Sequence, residues 1–393
     1  MGAAITSDAL AILERLVAFD TVSARSNLAL IDWIADYLKS CGVDSIRSGG
    51  DLAAGKANLF ATIGPRDRGG VILSGHTDVV PVAGQKWASD PFALTERDGR
   101  LHARGSADMK GFIALVLALV PEMTAQPLKT PIHLAFTHDE ETGCFGAPHL
   151  IAALPDGAAR PHLAIIGEPT SMQVANAQKG CAFFRTTITG RDGHSSAPGR
   201  GVNAIEAAAR IIAEIGRVGG EAARRGGDMA GAGRFDPPNT TLNVGTIEGG
   251  AAVNIIARDC RFEWDLRAVP GDDPLEMKAG IDAFIAAELL PRMRAVYADA
   301  AIATETIVSV PPLIPDPASA AEALARRLTG VNTATTVAFA SEAGLYQQAG
   351  IPAIICGPGS IDVAHQPDEF VTRDELAAGS GFLDRLLGWA REG

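Results

Sequence analysis

The chain of 393 residues has no Cys-x-x-Cys pair, and its five cysteines, Cys41, Cys144, Cys181, Cys260 and Cys356, are scattered. An odd, dispersed set suggests reduced thiols in a reducing compartment, with most of them packing groups. No apolar run is long enough to span a bilayer; the longest, Phe112 to Val120, stops at Pro121 and fits a buried helix. The start lacks the basic region and apolar core of a secretory signal. Met1-Gly2-Ala3-Ala4-Ile5-Thr6 matches a loose myristoylation pattern, but without a polybasic neighbour it reads as a chance match. The expected location is therefore cytoplasmic. Positive charge is in deficit, with 34 Lys and Arg against 46 Asp and Glu and a net charge of −12. That balance argues against nucleic acid and anionic membranes as partners. No G-x-G-x-x-G follows the first strand-like runs, which disfavours a nicotinamide dehydrogenase.

What is present is ordinary globular composition, 47% hydrophobic and 20% charged, in a chain long enough for two domains. Thr6, Ser7 and Asp8 offer a helix start before Leu10, Leu13, Leu16 and Val17, and Leu30, Ile31, Ile34 and Leu38 mark a second helix ending near Gly42. Strands at Asn58–Ile63, Val71–Leu73, Ile132–Thr137 and Leu163–Ile166 alternate with helices at Met109–Val120 and Ala147–Ala153. That βαβ rhythm predicts an α/β fold with a doubly wound, mainly parallel sheet. The pattern changes near Gly180. Strands at Cys181–Thr189, Thr240–Ile247, Asp259–Ala268 and Ile302–Val310, with helices after Asn203 and Asp273-Pro274, run β-α-β-β-α-β. This is the order of an inserted ferredoxin-like domain. Gly219–Pro238, rich in Gly, Ala and Arg, reads as a mobile loop inside it. After Pro311-Pro312 the α/β pattern resumes with a helix at Glu342–Gln348, a strand at Pro352–Cys356, and a Thr372/Glu375 capping box on the last helix. The expected divisions are 1–179 and 312–393 for the larger domain and 180–311 for the insertion.

Chemistry-bearing residues recur where strands of the larger domain end. His76 and Asp78 stand two apart in Ser74-Gly75-His76-Thr77-Asp78, where a carboxylate can hold one imidazole nitrogen while the other binds a metal. Asp108 lies in Gly105-Ser106-Ala107-Asp108-Met109-Lys110-Gly111. Glu140-Glu141 follow the strand at Ile132–Thr137, Glu168 follows the next, and His365 closes Gly357–His365. Taken singly, Asp108 is a helix N-cap, Glu140-Glu141 a solvated pair, Glu168 a turn residue and His365 a loop histidine. Together they fall where open α/β sheets bind ligands. Two histidines and three carboxylates suit two zinc-like ions sharing one carboxylate, and two such ions about 3.5–4 Å apart can activate water. The Glu140-Glu141 pair can then divide its labour between a metal and a general base. His133 and His162 read as structural, and His138 is not chosen as a ligand.

As a set these segments resemble the acetylornithine deacetylase and succinyl-diaminopimelate desuccinylase family of metallohydrolases, from Thr21-Val22-Ser23 to Asp368-Glu369-Phe370-Val371. The resemblance implies that His76 and Glu168 bind one metal, Glu141 and His365 the other, and that Asp108 bridges them. It further implies that Asp78 orients His76 and that Glu140 is the general base. The metals would be two divalent ions, zinc or substituting cobalt. The inserted domain resembles the family's lid and dimerisation domain. His194, in Gly193-His194-Ser195-Ser196, matches a histidine that reaches into the partner subunit's site of a homodimer. Asn254 and Arg267 resemble residues that hold a substrate carboxylate, an Arg fork suiting that task. Ala340-Ser341-Glu342-Ala343-Gly344-Leu345-Tyr346 and Gly357-Pro358-Gly359-Ser360-Ile361 look like the deacetylase version, Ser341 standing where Thr is common. The implied reaction is hydrolysis of N2-acetyl-L-ornithine to acetate and L-ornithine, a step of arginine biosynthesis. The alternatives are another N-acyl amino acid deacylase or a dipeptidase on the same metals, and a metal-dependent binding protein without catalysis.

Overall fold

A computed structural model describes residues 5–49, 54–226 and 234–393. The Met1–Ala4 part of the lipidation-like motif and the centre of the Gly219–Pro238 stretch lie outside the described residues. The chain divides into two compact units. One comprises Met1–Ala177, Pro315–Thr335 and Ser341–Gly393, the other Gln178–Ile314 and Thr336–Ala340.

The first unit is built on strands β1 (Ser45–Ser48), β2 (Asn58–Ile63), β3 (Val71–His76), β4 (Thr95–Arg97), β5 (Arg100–His102), β6 (Ile132–Thr137), β7 (Leu163–Pro169) and β8 (Ala175–Gln178). The second unit supplies β9 (Gly180–Thr189), β10 (Thr241–Gly249), β11 (Asp259–Ala268) and β12 (Ala301–Val310). The chain then adds β13 (Thr335–Val337), β14 (Ala353–Gly357) and β15 (Phe370–Thr372). The large sheet runs β1-β2-β6-β3-β7-β14-β8-β13. Its centre, β6-β3-β7-β14, is parallel, while β1–β2, β2–β6 and β14–β8 pair antiparallel. Every residue of β3, β6 and β7 is buried, as parallel strands covered on both faces must be.

Helices α1 (Ser7–Val17), α2 (Leu28–Ser40), α3 (Gly111–Ala125) and α4 (Gly146–Ala152) belong to this unit. Thr6 caps α1 by accepting from the Ala9 amide, the task its hydroxyl suits. The sequence predicted that α3 would stop at Pro121, yet it continues to Ala125. A proline at that position cannot donate to the Leu117 carbonyl one turn back, and the Tyr37 hydroxyl donates to that carbonyl instead, at 3.1 Å. The side chain from α2 thus satisfies the acceptor that proline leaves open.

In the second unit, α5 (Ala204–Arg225), α6 (Pro274–Phe284) and α7 (Leu290–Val296) pack on a four-stranded antiparallel sheet of order β10-β11-β9-β12, the ferredoxin-like arrangement. Ala182, Phe184 and Ile188 on β9 and Phe262, Trp264 and Leu266 on β11 form its apolar face. The loop expected from Gly219 is corrected: Gly219–Arg225 form the last turns of α5, which Asn203 caps and whose Ala222 is buried. Burial of one side of the helix outweighs the cost of two glycines, about 1 kcal/mol each. The remaining helices of the first unit are α8 (Ala320–Thr329), α9 (Ala343–Gln348) and α10 (Arg373–Glu392). The Thr372/Glu375 capping box opens α10. A small sheet, β15-β5-β4, goes beyond the sequence expectation. Among the described residues no helix is long and apolar enough to cross a membrane.

Two glycines make opposite tests of this packing. A Cβ on Gly357 of β14 would overlap the backbone oxygens of Gly167 and Glu168, whereas one on Gly388 of α10 would meet nothing within 4 Å. Gly357→Ala should lower stability by about 1–3 kcal/mol. Gly388→Ala should raise it by about 0.5–1 kcal/mol. Urea unfolding midpoints check both, and equal midpoints for the two variants would contradict the packing described.

Candidate metal centre

β3 delivers His76, 1% exposed, at its carboxyl end. Its Nδ1 lies 2.9 Å from the Asp78 carbonyl oxygen; a carbonyl only accepts, so Nδ1 carries the proton and the neutral ring's lone pair sits on Nε2. That Nε2 faces two carboxylates, Asp108 Oδ1 at 2.9 Å and Glu168 Oε1 at 3.9 Å. The other oxygen of Asp108 is 3.2 Å from His365 Nε2, and His365 Nε2 is 3.0 Å from Glu141 Oε2. Two groups of three donors therefore form, His76 with Asp108 and Glu168, and Asp108 with Glu141 and His365. Within each group the donor atoms lie within 4.8 Å of one another. Asp108 belongs to both, with one oxygen turned to each.

This donor set fits divalent cations. A lone pair aimed at carboxylate oxygens is unfavourable unless a proton or a metal lies between them. Glu168, 3% exposed, has its Oε1 buried without any hydrogen-bond partner among the described residues, a costly state for an anionic oxygen with no cation nearby. Imidazole nitrogen mixed with carboxylate oxygen suits zinc-like ions. The proton affinities report the same stress. Burial, reinforced by Asp108 and the other carboxylates, raises Glu168 well above the usual carboxylate range. Burial and the neighbouring Glu141 do the same for Glu140, and burial with Asp108 pushes Glu141 up to about 7. Burial alone would raise Asp108, but hydrogen bonds from His365 and His76 hold it below its ordinary value. For His76 burial opposes charging, yet its bond to Asp108 and the charge of Glu168 lift it well above 6.5. Hydrogen bonds to Asp108 and Glu141 raise His365 to about 10.

Glu140 stands outside both donor groups. Among the described residues its Oε1 accepts from Cys144 Sγ alone, at 3.4 Å, which leaves a carboxylate of raised proton affinity beside the centre. Asp78 departs from the expected geometry. Its carboxylate approaches His76 Nδ1 no closer than 3.7 Å, since its carbonyl already takes that nitrogen. The carboxylate instead accepts from the Glu140 amide at 3.1 Å, the Glu141 amide at 3.3 Å and the Ser23 hydroxyl at 2.6 Å. It holds the Glu140-Glu141 turn, where Asp139 has a left-handed φ of 54°. His138 pairs with Asp139 rather than joining a donor group. His133 is buried within β6, and His162 is exposed just before β7.

Several supporting residues carry no motif of their own. Lys110, fully buried, donates to the Leu16 and Phe19 carbonyls at 3.1 and 2.9 Å, tying the Asp108 segment to the end of α1; burial pushes its amine down to about 7. Glu342 and Tyr346, from the deacetylase-like segment, both meet the Ser74 hydroxyl at 3.1 Å, directly below His76 on β3. Arg104, Glu369 and Gln85 surround Asp108 and His365. Of these only Glu369 offered a sequence signal, standing in the same short run as His365. Arg104 and Gln85 look like ordinary surface residues, because sequence does not show that Arg104 is buried.

The three other candidates belong to the second unit. His194 forms an antiparallel bridge with Ile255, and the Ser195 amide donates to the Asn254 carbonyl at 3.1 Å, so His194 and Asn254 are neighbours there, both exposed. The Ser196 amide donates to His194 Nδ1 at 3.2 Å. Nδ1 is thus an acceptor, and the proton of the neutral ring lies on Nε2. Arg267, on β11, is 3.3 Å from Asp265 and lies over the Phe183 ring.

Metal removal should expose the electrostatic stress. Glu141 moves from 4.5 unfolded to about 7 folded, and His365 from 6.5 to about 10. In both cases the folded state binds more protons than the unfolded one between the two values, so stability falls as pH rises through that window. Glu140 and Glu168 are raised in the same sense, whereas Lys110, lowered from 10.5 to about 7, stabilises the fold as pH rises above 7 and offsets His365 there. The melting temperature of chelator-treated protein should therefore fall from about pH 5 to about pH 7, and zinc should raise it and flatten the slope. A flat profile in the chelated protein would contradict this charge arrangement.

Known proteins are similar to this chain in sequence and in fold. The profile of Peptidase family M20/M25/M40 matches residues 72–388. Acetylornithine deacetylase of Proteus mirabilis (strain HI4320) is 37% identical over 361 residues, 90% of this chain and 88% of that protein. The same-named protein of Myxococcus xanthus is 35% identical, with 96% of each chain covered. In fold, an M20 metallo-carboxypeptidase from Sulfolobus solfataricus aligns with a TM-score of 0.75 at 17% identity, covering 99% of this chain and 100% of that one. A tripeptidase from Staphylococcus aureus aligns with a TM-score of 0.72 at 20% identity, covering 100% of both chains. The chain is a hydrolase that belongs to peptidase family M20/M25/M40.

Proposed function

We propose that the chain is a cytoplasmic, homodimeric amidohydrolase that converts N2-acetyl-L-ornithine to acetate and L-ornithine in arginine biosynthesis. Relatives at 34–37% identity that bear the name acetylornithine deacetylase support the substrate. The observation that carries the chemistry is Glu140, a carboxylate in neither donor group whose charge interacts with members of both. His76 and Glu168 would hold one divalent ion, Glu141 and His365 a second, with Asp108 between them; zinc suits the donors and cobalt can substitute. When bound, such ions supply positive charge that lowers the proton affinity of water and polarises a carbonyl.

Glu140 takes the proton of the attacking water, whose oxygen bonds to the acetyl carbon. The C–N bond then breaks, and Glu140 returns the proton to the departing α-amine. Asp78 keeps Glu140 aimed by fixing its backbone amide. His194 from the second subunit donates its Nε2 proton to the developing oxyanion, a contact strongest in the transition state. Asn254 and Arg267 receive the substrate carboxylate, Arg267 exchanging its Asp265 partner for it.

Glu140→Gln should keep full metal content by elemental analysis while losing about 10²–10⁴ in kcat; full activity would remove Glu140 from the reaction. His194→Ala should cost about 10²–10³ in kcat with little change in KM. Substrate identity is tested with acetylornithine, acetylcitrulline, acetylmethionine, succinyl-diaminopimelate and a dipeptide. A higher kcat/KM for any of the other four than for acetylornithine would overturn the assignment.

A further inference from the structure

The two donor groups are linked behind Asp108 by a chain of side chains that ligate nothing. Glu369, 1% exposed, accepts from four donors. Its Oε1 takes the amides of Ala107 at 2.9 Å and Asp108 at 3.1 Å, while its Oε2 takes the Gly105 amide at 3.1 Å and Arg104 NH1 at 2.6 Å. Arg104, equally buried, lies over the Trp87 ring and sends NH2 to Gln85 Oε1 at 2.6 Å; its Nε has no partner among the described residues. Gln85 Oε1 also accepts from Trp87 Nε1 at 3.1 Å, and Gln85 Nε2 donates to the His365 carbonyl at 2.8 Å. That carbonyl belongs to a residue with a left-handed φ of 62°, a conformation rare without glycine and held only where its surroundings enforce it.

We propose that Arg104, Glu369 and Gln85 form a positioning network that locks Asp108 and His365 into one register, so that metal affinity depends on three residues outside the donor set. The proposal rests on the metal-centre assignment above. A buried ion pair adds little net stability compared with apolar side chains of similar volume, so simple bracing is a weak account of Arg104 and Glu369. What the pair does is specific: one carboxylate gathers three amides of the five-residue stretch that ends in the shared ligand. Its guanidinium partner reaches, through one amide side chain, the backbone of the ligand on the far side. Each ligand's direction is thereby set by the other's loop. Residues that orient metal ligands typically change affinity by about 10- to 100-fold when removed.

The test compares wild type, Glu369→Gln, Arg104→Lys, Gln85→Ala and the Glu369→Gln/Gln85→Ala pair. Zinc dissociation constants come from chelator competition, ligand geometry from the visible absorption of the cobalt-loaded protein, and fold from the melting temperature of the metal-free protein. Glu369→Gln and Arg104→Lys should each weaken zinc binding about 10- to 100-fold and shift the cobalt bands. Gln85→Ala, which leaves the buried ion pair intact, should weaken binding and shift the bands with an unchanged metal-free melting temperature. The pair should weaken binding by less than the product of its single effects, because both act through one chain. If Glu369→Gln or Arg104→Lys does not fold, Gln85→Ala decides alone. Wild-type affinity and spectrum in Gln85→Ala, or in all variants with only melting temperatures lowered, would overturn the network while leaving the metal centre standing. A wild-type chain that takes up neither zinc nor cobalt would overturn both.

Discussion

Everything in the first unit is arranged around buried negative charge that the protein does not neutralise by itself. Asp108, Glu140, Glu141 and Glu168 crowd together with two imidazoles, His76 buried and His365 half exposed. Without a cation, the chain relieves the repulsion only by holding protons on its carboxyls and histidines. With cations, the same groups would become a preorganised cradle. Such a site would trade intrinsic stability for affinity, a trade expected where function and stability compete. The large, fully buried β3, β6 and β7 supply the rigid platform that makes it tolerable.

Rigidity reaches the donors through hydrogen bonds rather than through the donors' own packing. Asp78 fixes the turn bearing Glu140 and Glu141, Lys110 ties the Asp108 segment to α1, and Ser74 with Glu342 and Tyr346 supports β3 beneath His76. Each supporting group is charged or polar and buried, so each is confined to one geometry by the cost of losing its partner. Through Glu369 and Gln85, two loops far apart in the chain, around residues 108 and 365, are held together by more than the ions they would share.

Much of the architecture was legible along the chain. Local rules sufficed for the capping box at Thr372 and Glu375, the Asn203 and Asp273-Pro274 helix starts, and the apolar runs of β3, β6 and β7. They failed where a distant partner intervened. Pro121 reads as a helix stop, but Tyr37, some eighty residues away, satisfies the carbonyl it leaves free. Gly219 and Gly220 read as loop, but α5 buries its apolar side against a sheet three of whose four strands come later in the chain.

The candidate site divides along the same line. Residue types and their positions at strand ends determined by themselves that two imidazoles and several carboxylates would gather at one edge of a sheet, because side-chain alternation and strand direction are local properties. Only the tertiary structure decided how the labour is shared. It turned the Asp78 carboxylate from His76 to the Glu140-Glu141 amides, gave each oxygen of Asp108 a different histidine, and buried Arg104 against Glu369. The physical reason is that a carboxylate's role depends on which donors reach it and how much water is excluded, and both are set by segments hundreds of residues apart.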